Sequence, residues 1–195
     1  MKLAFLVEAR WDFEVLKLLV ERILGCEIVP VYRERLPTGV TGVVKNLAAV
    51  ADEAWQNDTD GLVVVIDNDG KRPIHDSAHT GSLEELMQSG CNYCMLVCLL
   101  PALPETTRRP PLKFAVGVAV EALEAWLLFG AHLAAEPEKL DTKVLKKMLY
   151  GEEHLLWWKR VNICKPIAQK VDLSELSQAC PSFSFFAENV RQLKA

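Results

Sequence analysis

The run Leu62-Val63-Val64-Val65-Ile66, broken abruptly by Asp67-Asn68-Asp69-Gly70, decides how the rest of the chain is read. Four of its five apolar residues are β-branched, and no polar residue alternates with them. That is the pattern of a strand buried on both faces, as in a parallel sheet covered by helices. Leu3–Val7 repeats it in shorter form, Glu27–Tyr32 reads as a second strand, and Tyr93–Leu100 and Phe114–Val120 read as a fourth and fifth. Between them lie helical patterns. Phe13, Val15, Leu16, Leu18, Leu19 and Ile23 follow Asp12 and stop at Gly25. Residues from about Val43 to Trp55 form another helix after a turn-rich passage, and Ser82 caps a third through about Ser89. Alternating strands and helices predict an α/β domain with a mostly parallel sheet of about five strands.

Beyond residue 135 the strand signal vanishes. Helical stretches are expected near 138–150, 165–178 and 182–193, with Pro166 in a first turn and Ser182 as a cap. The expected organisation is an α/β core over 1–135 and a helical C-terminal appendage over 136–195, packed on that core. At 195 residues the chain is long enough for one folding unit with a substantial core.

Charge and composition limit the function. Lys and Arg number 22 against 26 Asp and Glu, a net −4, so no global basic field marks a nucleic-acid binder. The excess is uneven: residues 1–135 carry 12 basic and 18 acidic residues, and residues 136–195 carry 10 and 8. Phe114 to Ala135 is apolar enough to suggest a membrane span, but it holds Glu121, Glu124 and His132, and it divides into a strand and a helix. Met1–Glu8 has only five apolar residues before its carboxylate, where a secretory core needs about 7–15. The six cysteines therefore read as reduced thiols of a cytoplasmic protein without a membrane segment. Cys91-x-x-Cys94-x-x-x-Cys98 has no fourth ligand at suitable spacing, so these residues read as small core hydrophobes.

Carboxylates gather at the expected carboxyl ends of strands, where open α/β sheets place their sites. Glu8 follows the first strand, Asp67 and Asp69 follow the Leu62–Ile66 strand, and Glu121 and Glu124 follow Phe114–Val120, three apart and expected on one helical face. Carboxylates converging from several strands repel one another unless a hard cation lies between them, and Mg²⁺ or Mn²⁺ suits oxygen donors. Glu124 is buried in sequence terms within Ala122-Leu123-Glu124-Ala125-Trp126-Leu127-Leu128, where an unpaired carboxylate is out of place. First-turn Glu121 is explained equally well by the helix dipole.

These residues carry a resemblance. A strand ending in Glu8, with Asp12 four residues on, followed by a later apolar strand ending in Asp67-x-Asp69, is similar to the Toprim catalytic domain of topoisomerases, primases and certain nucleases. Glu124-Ala125-Trp126-Leu127-Leu128 resembles the E-A-W-L-L element of a small, largely uncharacterised bacterial Toprim-like family, and Cys180-Pro181-Ser182-Phe183 with Phe186 resembles its C-terminal helix. The resemblance implies a Toprim-like fold, Mg²⁺ (or Mn²⁺) ligation by Glu8, Asp67 and Asp69, and Glu124 as an added acidic member of the catalytic group. Glu121 and Glu124 would serve a second ion. Toprim proteins usually carry Gly after the motif Glu, whereas Ala9 follows here. Since Ala resists positive φ, either the turn or the metal site differs.

From Lys143 to Lys170 seven basic residues face two acidic ones, with Tyr150, Trp157 and Trp158 interleaved. Cations for phosphates beside aromatic faces for bases is a nucleic-acid-binding mix, equally compatible with a solvated helix whose tryptophans pack inward. Candidate nucleic-acid contacts are Arg10, Lys71, Arg72, Lys147, Lys159, Arg160 and Lys165; His75 and His79 lie on a loop near the acids.

The expected function is Mg²⁺-dependent phosphodiester cleavage of a nucleic acid. The first alternative is a non-catalytic Toprim-like binding module of a bacterial defence or mobile-element system, working as a homodimer or with a partner protein. The second takes Val63–Gly70 as the first motif of a haloacid-dehalogenase-type phosphatase, with Asp67 as nucleophile and Asp69 as general acid.

Overall fold

The computed structural model describes residues 1–31, 39–68, 85, 91–100, 112–151 and 155–195. Four strands, β1 (Lys2–Leu6), β2 (Val29–Val31), β3 (Gly61–Asp67) and β4 (Lys113–Ala119), form one sheet in the order β2-β1-β3-β4. Every pairing is parallel, with Phe5 opposite Val63 and Val63 opposite Ala115.

The period of two along the strands sorts side chains into two cores. Leu3, Phe5, Val63, Val65, Ala115 and Ala119 enter one apolar cluster, while Ala4, Leu6, Leu62, Val64, Ile66 and Val116 enter the other. The second cluster is covered by α2 (Gly39–Gln56) and α3 (Asn92–Leu99). The first is covered by α1 (Arg10–Leu24), α4 (Glu124–Gly130), α5 (Thr142–Tyr150), α6 (Trp157–Lys170), α7 (Leu173–Ala179) and α8 (Pro181–Gln192). Both faces are thus dry, which is why the central strand reads as an unbroken apolar run.

The C-terminal helices close one face of the sheet. α8 lies along β4, and α6 packs against α1. Arg22 of α1 donates to the carbonyls of Ala168 and Val171 at 2.6 Å each, satisfying the C-terminal end of α6. Trp126 stacks on Phe186 at 5.4 Å between ring centroids and meets Phe183 edge-on at 5.3 Å. Its indole N–H donates to Ser182 Oγ at 2.8 Å, and that hydroxyl donates to Glu138. The two segments quoted above, around Trp126 and around Ser182, are therefore packed on each other.

Several expectations are corrected. Tyr93–Leu100 is not a strand but most of α3, so the described residues hold four strands rather than five. Only Val97 is β-branched there, and Met95, Leu96, Leu99 and Leu100, with no branch at Cβ, suit a helix. The segment expected over 165–178 is the end of α6 and the whole of α7, with Asp172 accepting from Ser174 and Glu175 N–H as the cap between them. Pro166 sits inside α6 rather than in its first turn, on the exposed face. α8 is entered by Pro181 at its first position with Cys180 as N-cap, which frees Ser182 for Trp126. Glu121 precedes α4 and does not share a helical face with Glu124. The loop over 71–80 and the helix expected after Ser82 fall outside the described residues, apart from Glu85.

One close approach tests this packing. A Cβ built on Gly117 of β4 would lie 2.7 Å from Phe186 Cδ2, so only glycine lets α8 seat on the sheet. Gly117→Ala is expected to lower the urea-denaturation stability by about 1–3 kcal/mol, and the added Phe186→Leu change to return part of that loss. Equal stability of Gly117→Ala and the parent would contradict the packing described.

Candidate functional site

The site is built at the carboxyl edge of the sheet by three adjacent strands. β1 delivers Glu8 two residues after its end, β3 ends on Asp67, and β4 leads through a bend into Glu124. Asp67 N–H donates to Glu8 Oε1 at 2.8 Å. Its own Oδ1 accepts from Leu123 N–H at 3.0 Å, which fixes the residue before Glu124. Asn68 N–H donates to Ala119 O at 2.9 Å, and Asn68 Oδ1 accepts from Asn92 Nδ2 at 3.1 Å, anchoring the next position to α3.

A fourth carboxylate enters from α1. Asp12, only 8% exposed, accepts from Ala9 N–H at 2.8 Å. Ala9 itself is extended, with φ −144°, so the absence of glycine after Glu8 requires no left-handed turn. Asp12 was named above only for its distance from Glu8, yet a signal for a buried role was present. It falls on the inward stripe with Val15, Leu16 and Leu19, where a carboxylate requires compensation.

Electrostatics bind these groups together. Burial, followed by the charges of Asp12, Glu124 and Glu8, holds the Asp67 carboxyl well above its usual range. Burial, followed by Glu124, raises Asp12 in the same way, with Glu8 adding to the effect. Burial raises Glu124 too, against the pull of Lys146, Arg160 and the Tyr150 hydroxyl. Glu124 is 0% exposed, and neither of its oxygens has a well-formed hydrogen bond. The Arg160 guanidinium reaches it only to 3.9 Å.

The helical segment supplies the wall. Arg160 lies over both Trp11, 5.7 Å from the ring centroid, and Tyr150, at 5.3 Å, and donates through Nε to Leu155 O. Tyr150 OH and Cys164 Sγ are 3.5 Å apart. Burial is the main reason that the Tyr150 phenol is raised and that the Cys164 thiol is pushed up to about 12, so both stay protonated.

The other sequence candidates are dispersed. Glu121 Oε2 accepts from Thr142 Oγ1 at 3.0 Å and so braces the start of α5. Arg160 faces the carboxylates rather than a surface ligand, because it lies on the buried stripe of α6 with Cys164 and Ala168. Lys165 pairs with Glu14 at 2.6 Å. Arg10, Lys147 and Lys159 are exposed. Trp157 and Trp158 are 44% and 46% exposed, so they do not pack inward. Asp69, Lys71, Arg72, His75 and His79 fall outside the described residues. Cys91 and Cys94 are buried in and beside α3, and Cys98 is half-buried. Among the described residues no three His, Cys, Asp or Glu side chains are placed to hold a metal ion, and no helix is long and apolar enough to cross a membrane.

In comparisons with known proteins, no family model, no curated protein and no solved structure matches this chain.

The raised carboxyl groups have a thermodynamic consequence. A folded-state pKa above the unfolded value means that the native protein binds more protons between the two, so this part of its stability is lost as pH rises through that window. In EDTA, the melting temperature of the parent is expected to fall from about pH 4 upward relative to that of Asp67→Asn. Parallel Tm–pH curves for the two proteins would show that Asp67 does not titrate as described.

Proposed function

We propose that the chain is a divalent-metal-dependent phosphodiesterase of nucleic acid, in line with its Toprim resemblance. The observation that carries this reading is Glu124, a fully buried carboxylate without a well-formed hydrogen bond to either oxygen, whose charge bears on Asp67 and Asp12. The charges of Glu124 and Glu8 add to burial in raising Asp12 and Asp67 at one sheet edge, a conflict that a hard cation relieves.

The donor chemistry fits Mg²⁺ or Mn²⁺. Glu8 accepts from Asp67 N–H and Asp67 accepts from Leu123 N–H, so both oxygen-donor side chains are held at the strand ends. With Asp69 they form the proposed ligand set. Mg²⁺, when bound, polarises a phosphate oxygen and acidifies a coordinated water. The protein's own part is positional. Asp67, held by Leu123 N–H, presents its free oxygen at the strand end, and Asp12 fixes the turn after Glu8 through Ala9 N–H. Glu124, closed off by Arg160 and Tyr150, sets the local charge that favours a cation and does not touch substrate.

That seclusion of Glu124 equally favours a second reading, a non-catalytic nucleic-acid-binding module in which the cluster is structural. The two separate in an assay of single- and double-stranded DNA and RNA with Mg²⁺ or Mn²⁺. The catalytic reading expects cleavage that EDTA and Asp67→Asn abolish, while Glu124→Gln lowers it about 10–100-fold as an outer-shell change. Binding without cleavage on every substrate, or cleavage that survives Asp67→Asn, contradicts it. Release of inorganic phosphate from small monoesters in place of nucleic-acid cleavage would instead favour the phosphatase alternative.

A further inference from the structure

We infer that Trp157 and Trp158 form a base-stacking platform that makes single-stranded nucleic acid the preferred ligand, a refinement that rests on the nucleic-acid reading above. The chain has five tryptophans, and two of them show how it treats an indole that serves the core: Trp11 and Trp126 are 5% and 1% exposed. Trp157 and Trp158 are consecutive, 44% and 46% exposed, and are preceded by Leu156 at 61%. A large aromatic nearly half in water forgoes a large share of its burial free energy, and here two do so side by side in the first turn of α6.

Their surroundings are cationic. The Arg10 guanidinium carbon lies 4.5 Å from the Trp157 ring centroid, and Lys159 Nζ lies 5.6 Å from that of Trp158. Both cations are exposed. Indole faces alternating with cations match a strand that alternates bases with phosphates, which is how proteins hold single strands without reading sequence. A duplex hides its base faces in its own stack and offers such a surface only phosphates. The platform is also continuous with the carboxylate cluster. Arg10 lies in sequence between Glu8 and Asp12, and Arg160, one turn along α6 from Trp157, reaches Glu124.

The test is fluorescence anisotropy in EDTA, so that binding is read apart from cleavage, with a labelled oligothymidylate and a duplex of equal length. The parent is expected to prefer the single strand, with quenching of its intrinsic tryptophan emission. Trp157→Ala and Trp158→Ala are each expected to weaken that binding about 5- to 100-fold, Trp157→Phe to keep most of it, and all to retain the parent melting temperature within a few degrees. Single-strand affinity unchanged in both alanine variants overturns the proposal, as does equal affinity for the duplex. A dimer in sedimentation that the alanine variants dissociate, with no oligonucleotide binding, also overturns it and makes the patch a contact between copies. Loss of cleavage with the platform intact would remove only the catalytic reading, whereas cleavage with single-strand affinity indifferent to both tryptophans would remove only the platform.

Discussion

Asp67 is the residue on which the local architecture depends. Its amide donates to Glu8 at the end of β1, and its carboxylate accepts from Leu123 at the entrance to α4. One residue at the end of the central strand therefore ties the carboxyl ends of three neighbouring strands together. Both bonds are part-buried and both involve a carboxylate, so they are charge-assisted contacts with limited competition from water. This arrangement brings Glu124 under the C-terminal helices and leaves it against Arg160 and Tyr150. The helical segment is thus part of the site: without α5 and α6, Glu124 would have neither its cations nor its wall.

The cost of the arrangement is visible in the same place. Asp12, Asp67 and Glu124 all have raised pKa values, with burial as the first cause, and their mutual charges add to it for Asp12 and Asp67. A protein that needed only a strand end here would be served by neutral side chains, since replacing buried charges by well-packed neutral groups is often neutral or stabilising. Retained electrostatic conflict at the carboxyl edge of a parallel sheet is the physical reason for reading the cluster as functional.

Much of the fold was legible in the sequence. Leu62–Ile66 is almost wholly β-branched and Phe114–Val120 is a continuous run without a polar residue, and they are the two strands whose pairing dominates the sheet. Tyr93–Leu100 was misread because a short apolar run with no alternation fits a buried strand or a buried helix equally. Its shortage of β-branched residues was the discriminating feature. The α6–α7 boundary lies at Asp172, a cap that a single helix started by Pro166 does not anticipate. In the site, Glu8, Asp67 and Glu124 followed from their place after apolar strands and inside an apolar helix. Asp12, Tyr150 and Lys146 did not, because their roles arise from tertiary neighbours, although Asp12 occupies an inward helical position that periodicity can detect. Arg160 was identified as a cation but assigned outward, where its register with Cys164 and Ala168 points inward.

The central claim is that the carboxylates at this sheet edge share a divalent cation. Anomalous diffraction from crystals soaked with Mn²⁺ tests it most directly. The account predicts a Mn²⁺ peak coordinated by the carboxylates of Glu8 and Asp67 and absent from Asp67→Asn crystals. Fully soaked crystals without density there would contradict it.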